Sequence, residues 1–344
     1  MSENDAGQIK PFSQITQHDV ARLANASQAA VSRVIANNGY VASDVRQRIE
    51  DAAEQLGYRP NPLARGLTKG QSNIIAVVMA DIINPFYPIA LDALTDAIQR
   101  SGREVLLFNA AHHQTVDDVI PAVLKYRVAG IIITTALLSS KAAEMCESMN
   151  VPVVLLSRHS QRSESFVVRC DNQLGATQAA QLMISGGCKR LAYIGGRPNS
   201  STNTDRRVGF VSAVEKAGLA PVTVIEEIFD YRWGMDATAA LFADVPDIDG
   251  VFCGDDVIAF GALDCLRFKL GKRVPQDVSV VGFDDVPSAA WSAYDLTTIR
   301  QPLELMVEKT LEFITSTDPR APRVHTIPGE LIRRSTVREP LLKA

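Results

Sequence analysis

No apolar run in the chain approaches the roughly 20 residues that a membrane-spanning helix requires. Cysteine is scarce: Cys146, Cys170, Cys188, Cys253 and Cys265 are odd in number, widely spaced and without any C-x-x-C. That pattern excludes a disulfide scaffold and fits reduced thiols in a cytoplasm, each most simply a core residue. The formal net charge of −4 excludes a polycation, so any nucleic-acid surface must be local. His18, His112, His113, His159 and His325 show no metal-ligand spacing, and no metal site is expected. G-x-G-x-x-G after a strand, G-x-x-x-x-G-K-[ST] and G-x-S-x-G are all missing, which counts against an enzyme and against a bound cofactor. The paired acids Asp255-Asp256 and Asp284-Asp285 remain, and such acids bind polyols as readily as they move protons.

What is present changes character near residue 73. The polar opening, without the apolar stretch of a secretory signal, reads as a disordered arm over residues 1–13. Residues 14–60 carry short helical patterns. Thr16 and Asp19 have capping-box spacing ahead of Val20, Leu23 and Ala24, and Asn25-Ala26 breaks the pattern. Ser27 is placed to cap a second helix with Val31, Val34 and Ile35 on one face, ended by Asn37-Asn38-Gly39. A third carries Val45, Ile49, Ala52, Ala53 and Leu56 and closes at Gly57. Three short helices with a tight turn between the first two describe a helix-turn-helix.

On the second helix Gln28, Ala29, Ser32 and Arg33 are not spent on the core, and they occupy the part that meets base edges in such motifs. Arg33 suits a guanine and Gln28 an adenine. Residues 61–72 then read as a hinge. Asn61-Pro62 caps a helix of barely two turns that should not persist alone in water. Its Leu67 beside Arg65 and Lys69 has the composition of a minor-groove wedge flanked by phosphate contacts, against the plainer reading of an interdomain linker.

From residue 73 onward, β-branched apolar runs alternate with amphipathic stretches. Strands are expected at 74–79, 104–108, 130–134, 153–156, 166–169, 191–194, 222–228, 250–253 and 278–283. Helices are expected at 86–101, 115–126, 173–185, 206–217, 235–243 and 257–270. This alternation predicts two doubly wound parallel sheets, with a ligand beyond the carboxyl ends of their strands.

The segments Asp19-Val20-Ala21, Val31-Ser32-Arg33-Val34, Leu56-Gly57-Tyr58-Arg59-Pro60-Asn61 and Ala64-Arg65-Gly66-Leu67 resemble the headpiece and hinge of the lactose-repressor (LacI/GalR) family. The likeness continues through Asn84-Pro85-Phe86-Tyr87, Asp171-Asn172, Gly254-Asp255-Asp256, Val281-Gly282-Phe283-Asp284-Asp285 and Thr298-Ile299-Arg300-Gln301-Pro302, and so covers nearly the whole chain. The resemblance implies a helix-turn-helix headpiece on an α/β core of periplasmic-binding-protein type. The core would run over 73–344, with an N-subdomain at about 73–170 and 301–334 and a C-subdomain at about 171–300. It also implies a cytoplasmic homodimeric repressor that binds a pseudo-palindromic operator under control of a small effector. Gln28, Ala29 and Arg33 would then read bases, Ser27 and Tyr58 contact phosphates and Leu67 enter the operator centre, with Ser32, Asn37 and Arg65 also expected at the DNA.

Three positions depart from the family pattern. Ala42 stands where a serine cap is usual, with Ser43 one residue on; Ala29 offers at most a methyl contact; Asp255 replaces a frequent asparagine. No heptad helix follows at the C-terminus, and a dimer is the simpler expectation. Candidate effector residues are Phe86, Asn109, Arg158, Asn172, Arg206, Trp233, Asp256 and Asp284. Aromatics, amides and carboxylates suit a sugar, while Arg158 and Arg206 together suit a sugar acid, unless Arg158 simply pairs with Asp255. A co-repressor-dependent regulator or an activator keeps the same features. An enzyme or a secreted solute-binding protein fits them less well.

Overall fold

The computed structural model describes residues 15–59, 72–80, 82–110, 116–134, 139–158, 166–316 and 322–340. Arg65 and Leu67 of the expected hinge lie outside them. The chain divides into one unit ending at Ser72 and a second beginning at Asn73.

The first unit is three helices, α1 (Gln17–Leu23), α2 (Gln28–Ile35) and α3 (Ser43–Leu56). The Thr16 hydroxyl and Asp19 carboxylate satisfy each other's backbone N–H groups, and the Ala30 N–H donates to Ser27 Oγ at 3.1 Å. Asn25, at φ 47°, makes the left-handed step between α1 and α2. Gly57, at φ 64°, ends α3. Ser43 does not take over the cap: Ala42 remains the N-cap residue of α3, with no side-chain bond. Val20, Ala21, Ala24, Val31, Val34, Ile49 and Ala52 form the core, while Leu23 stays nearly half exposed.

In the second unit, β1 (Ile74–Met79), β2 (Glu104–Asn109), β3 (Gly130–Ile133), β4 (Val153–Leu156), β5 (Phe166–Cys170) and β11 (Val324–Ile327) form a parallel sheet ordered β2-β1-β3-β4-β5-β11. A second parallel sheet, ordered β7-β6-β8-β9, contains β6 (Leu191–Gly195), β7 (Thr223–Glu226), β8 (Gly250–Cys253) and β9 (Ser279–Val281). The strands β1, β3, β4, β6, β8 and β9 are buried along their whole length, which explains their unbroken apolar runs. Helices α4 (Phe86–Arg100), α5 (Val116–Leu124), α6 (Ser140–Ser148) and α11 (Leu303–Thr315) belong with the first sheet. Helices α7 (Asn172–Ser185), α8 (Ser201–Lys216), α9 (Tyr231–Asp244) and α10 (Asp256–Asp264) belong with the second.

The two lobes exchange chain three times. β5 leads into α7, β10 (Thr298–Arg300) leads into α11, and β12 (Glu330–Ile332) returns antiparallel to β10 before Thr336 bonds Val280. In each sheet the strand order reverses beside the first strand, between β1 and β3 and between β6 and β8. Those switch points, at the carboxyl ends, open crevices where such folds hold ligands.

Candidate functional site

In the first unit, Val31 and Val34 turn inward and leave Ser27, Gln28, Ala29, Ser32, Arg33 and Asn37 exposed. Gln28 Nε2 lies 3.3 Å from His18 Nδ1, which steadies the glutamine from α1. Arg22, Arg46 and Arg48 pair with carboxylates of their own helices. Among the described residues Arg33 has no such partner, and its stem runs beside Gly39, where an added Cβ would sit 3.6 Å from Arg33 Cδ. A guanidinium at the exposed edge of a capped helix has the chemistry to pair with a guanine or a phosphate. Tyr58 is half buried, its ring packed on the three-helix core.

In the second unit, side chains from both lobes meet over the switch points. Asn84, Phe86, Tyr87 and Ser157 come from the first lobe, Thr202, Arg206, Phe229, Asp255 and Asp284 from the second, and Gln301 from a crossing segment. The space they enclose is about 20 Å³, roughly room for one water, so the lobes are drawn together. Phe86 and Ala90 accordingly join the apolar cluster of the second lobe. A far larger open groove, about 730 Å³ between α4 and α11, lies apart from the strand ends and gathers no buried polar groups.

Arg206, projecting from α8, is the hub of the cleft. It is 4% exposed, and every arm of its guanidinium is engaged. Nε donates to Asn172 Oδ1 at 2.9 Å, Nη1 to the Gly254 carbonyl, and Nη2 to Asp284 Oδ1 at 3.2 Å. Its plane lies 3.7 Å from the Phe283 ring centroid. Gln301 Nε2 donates to the same Asp284 oxygen at 2.7 Å. Asp284 is held at φ 123°, and Asp285 at φ 54°, conformations that these bonds and the ion pairs of Asp285 with Arg300 and Arg334 must impose. Ser157, at φ 73°, is a third strained residue at the cleft.

Asp255 lies across from Asn84, whose Nδ2 donates to Asp255 Oδ2 at 2.7 Å. Its other oxygen caps α10, accepting from the Ile258 N–H at 2.8 Å. Burial, reinforced by the charge of Asp284, pushes the Asp255 carboxyl up to about 7; the Ile258 N–H, Arg206 and Asn84 work in the opposite direction. Burial also raises the Asp284 carboxyl, with Arg206 acting against it.

Of the residues singled out in the sequence, Phe86, Arg206 and Asp284 line the cleft, and Asn172 supports it from behind through Arg206. Asp256 lies beneath the lining, fully buried, accepting from Thr298 Oγ1 at 2.6 Å and the Val286 N–H at 2.9 Å. Trp233 turns its indole N–H to the Gly195 carbonyl at 2.9 Å, and Phe229 supplies the aromatic wall instead. Asn109 is exposed at the end of β2, the edge strand, away from the switch point. Among the described residues Arg158 approaches the Tyr87 hydroxyl, at 3.5 Å, and its Nε is buried without a partner, as is Thr134 Oγ1 at the end of β3. It forms no ion pair with Asp255. Arg206 is fully committed to Asn172, Gly254 and Asp284, so it and Arg158 do not form a free pair of cations for a sugar acid.

Asn84, Tyr87, Ser157, Thr202, Phe229, Gln301 and Asp255 also line the cleft, beyond the effector residues expected from the sequence. Position after a strand was the available signal for Ser157 and Asp255. Gln301 reaches the cleft only through a crossing segment.

A helix-turn-helix unit followed by a two-lobed core with a polar, buried cleft defines a ligand-controlled DNA-binding regulator. Residues 16–61 match "Bacterial regulatory proteins, lacI family", and residues 180–337 match "Periplasmic binding protein-like domain". The chain is 32% identical to the ribose operon repressor of Halalkalibacterium halodurans, over 94% of this chain and 97% of that protein. The lac repressor dimer bound to operator and the anti-inducer ONPF superposes with a TM-score of 0.85 at 23% identity, covering 94% of this chain and 99% of that one. A transcriptional regulator CelR–cellobiose complex does so with a TM-score of 0.69 at 27% identity, covering 94% and 100%. The chain belongs to the lacI family of bacterial regulatory proteins, and it is a DNA-binding transcriptional regulator rather than an enzyme. Among the described residues no helix is long and apolar enough to cross a membrane.

Proposed function

We propose that the chain is a cytoplasmic homodimeric repressor that occupies a pseudo-palindromic operator and releases it when a small polyhydroxylated effector of the sugar class fills the cleft. The observation that carries this reading is the convergence, over two switch points, of buried polar groups from both lobes around Arg206. Such a cleft suits hydroxyl pairs, with Phe86 and Phe229 offering apolar faces to a ring. Gln28, Ala29, Ser32, Arg33 and Asn37 read base edges in the major groove, and Ser27, Tyr58 and Arg65 hold phosphates. Leu67 inserts at the operator centre.

Coupling follows from the three crossings. A ligand that favours one arrangement of the lobes biases the hinges of the dimer, and with them the wedge. The test is a titration of full-length protein onto fluorescent DNA from upstream of its own coding sequence, by anisotropy at fixed salt, with and without pooled sugars. Saturable binding weakened by one pool is the expected result. Binding strengthened by a pool would reverse the logic to co-repression. Equal affinity for operator and random DNA across a site selection would overturn the DNA reading.

A further inference from the structure

Asp255 stands out in the charge inventory of the cleft. Arg206 spends its charge on Asp284 and its remaining donors on Asn172 and the Gly254 carbonyl. Asp256 is satisfied by a hydroxyl and a backbone N–H below the cleft. Arg158 of the first lobe reaches the Tyr87 hydroxyl and forms no ion pair with Asp255. Among the described residues the direct partners of Asp255 are therefore an amide and a backbone N–H, both neutral, although it is 1% exposed. A buried carboxylate with no directly bonded cation among the described residues is costly; Arg206 offsets this only through space, and a second carboxylate, Asp284, adds to the cost. In the closed core the neutral donor facing Asp255 across the cleft is Asn84 Nδ2, and a ligand seated between the lobes must separate the two.

We propose that Asp255 is a specificity residue and that it selects effectors carrying a protonated amino group, an amino sugar or similar amino polyol, over neutral sugars and sugar acids. This rests on the cleft being the effector site. The ammonium takes the place of the Asn84 amide, donating to Asp255 Oδ2, while Oδ1 goes on capping α10. A neutral hydroxyl there gives a hydrogen bond but leaves the charge uncompensated; a ligand carboxylate adds a further negative charge. Because the free carboxyl is held up to about 7 by burial and Asp284, an arriving ammonium returns it to the ionised form, and binding near neutral pH releases protons.

The test is calorimetry on the full-length protein at pH 7 with matched pairs: glucosamine and glucose, galactosamine and galactose, mannosamine and mannose, with gluconate as the acid. At least one amine should bind about tenfold or more tightly than its parent, the increment of one charge-assisted hydrogen bond. Titrations in buffers of different ionisation enthalpy should show proton release for the amine and none for the parent. Asp255→Asn keeps an oxygen for the α10 cap, and it should erase the proton release and the preference, each amine then binding no more tightly than its own parent sugar. Parent sugars binding as tightly as the amines, gluconate binding more tightly than both, or a preference that survives Asp255→Asn each overturn the proposal. If no amine binds while another solute still releases the operator, this assignment falls and the effector-cleft reading stands.

Discussion

The side-chain amide of Asn84 and the carboxylate of Asp255 meet at 2.7 Å across the cleft, 171 residues apart in sequence and on opposite lobes. The contact exists only while the lobes are together. It joins the first switch point to the second, and the carboxyl in it is held well above its ordinary range by burial and by Asp284.

That shift makes stability depend on pH. A carboxyl raised to about 7 binds its proton more readily folded than unfolded, where it titrates near 3.8. Between those values the native state holds more protons, so stability falls as pH rises, and the loss is complete above about 7. Thermal unfolding of the ligand-free protein between pH 5 and 8 should show Tm falling with pH. Asp255→Asn should flatten the slope without abolishing it, because Asp256 and Asp284 are also raised. An unchanged slope in the variant would place the proton elsewhere.

Asn84→Asp probes the same contact from the other lobe. It sets a carboxylate against a carboxylate, which buried groups cannot both carry ionised at close range. The lobes should part, visible as a larger radius of gyration by small-angle scattering at pH 8, and the effect should shrink at pH 5. A variant as compact as the parent at both pH values would mean that the amide bond does not hold the cleft shut.

Arg206 carries structure and response together. Arg206→Ala leaves Asp284 and Asn172 facing each other in a buried space, and breaking a buried pair in this way costs about 3–5 kcal/mol. The expected outcome is a clear drop in Tm and no release of operator by effector, with ligand-free operator affinity kept while the protein is folded. Arg206→Lys keeps the charge but loses the fork that serves Asn172, Gly254 and Asp284 at once, and it should recover only part of the stability.

The framework was legible because its causes are local. Buried parallel strands read as unbroken apolar runs, and Thr16, Ser27 and Gly57 mark helix ends through their own cap chemistry. Four kinds of element escaped. Helix α6 carries a weak apolar face in which Ala142 and Cys146 alone are buried. Helix α11 follows the Gln301-Pro302 crossing with no side-chain cap. The strands β10 and β12 have three residues each, too short for any alternation to show, and β11 is a half-exposed edge of four. In the cleft, Asp255 and Asp256 are adjacent acids whose fates differ because a helix begins between them. The N-cap residue faces the cleft while the first helical residue turns under the sheet, and spacing alone does not tell them apart.

In the headpiece, Arg33 is the side chain most exposed to a test. Among the described residues it has no carboxylate partner, and it adds nothing to the buried core, so Arg33→Ala should leave the melting temperature of the unit nearly unchanged. Operator affinity should fall by about 1–3 kcal/mol if it reads a base, with relaxed specificity at one position of each half-site. An equal loss on random DNA, with a shallower salt dependence, would make it a phosphate contact instead.

The position of Arg206 depends in turn on a glycine. α7 and α8 cross so closely that a Cβ on Gly209 would lie 2.3 Å from the Gln173 carbonyl oxygen and 2.8 Å from its Cα. Both atoms are backbone and cannot swing aside. Gln173 is next to Asn172, the acceptor for Arg206 Nε, and Gly209 is one helical turn from Arg206 itself. Gly209→Ala should therefore do two separable things. It should lower Tm, because overpacking of a tight crossing costs about 1–3 kcal/mol even where alanine is the better helix former. It should also pull α8 from α7 and stretch the Arg206–Asn172 bond, weakening the effector response beyond what the loss of stability predicts. Operator titrations well below the variant's Tm read the second effect alone. A variant that is less stable yet responds to effector like the parent would show that the crossing supports the fold without setting the position of Arg206.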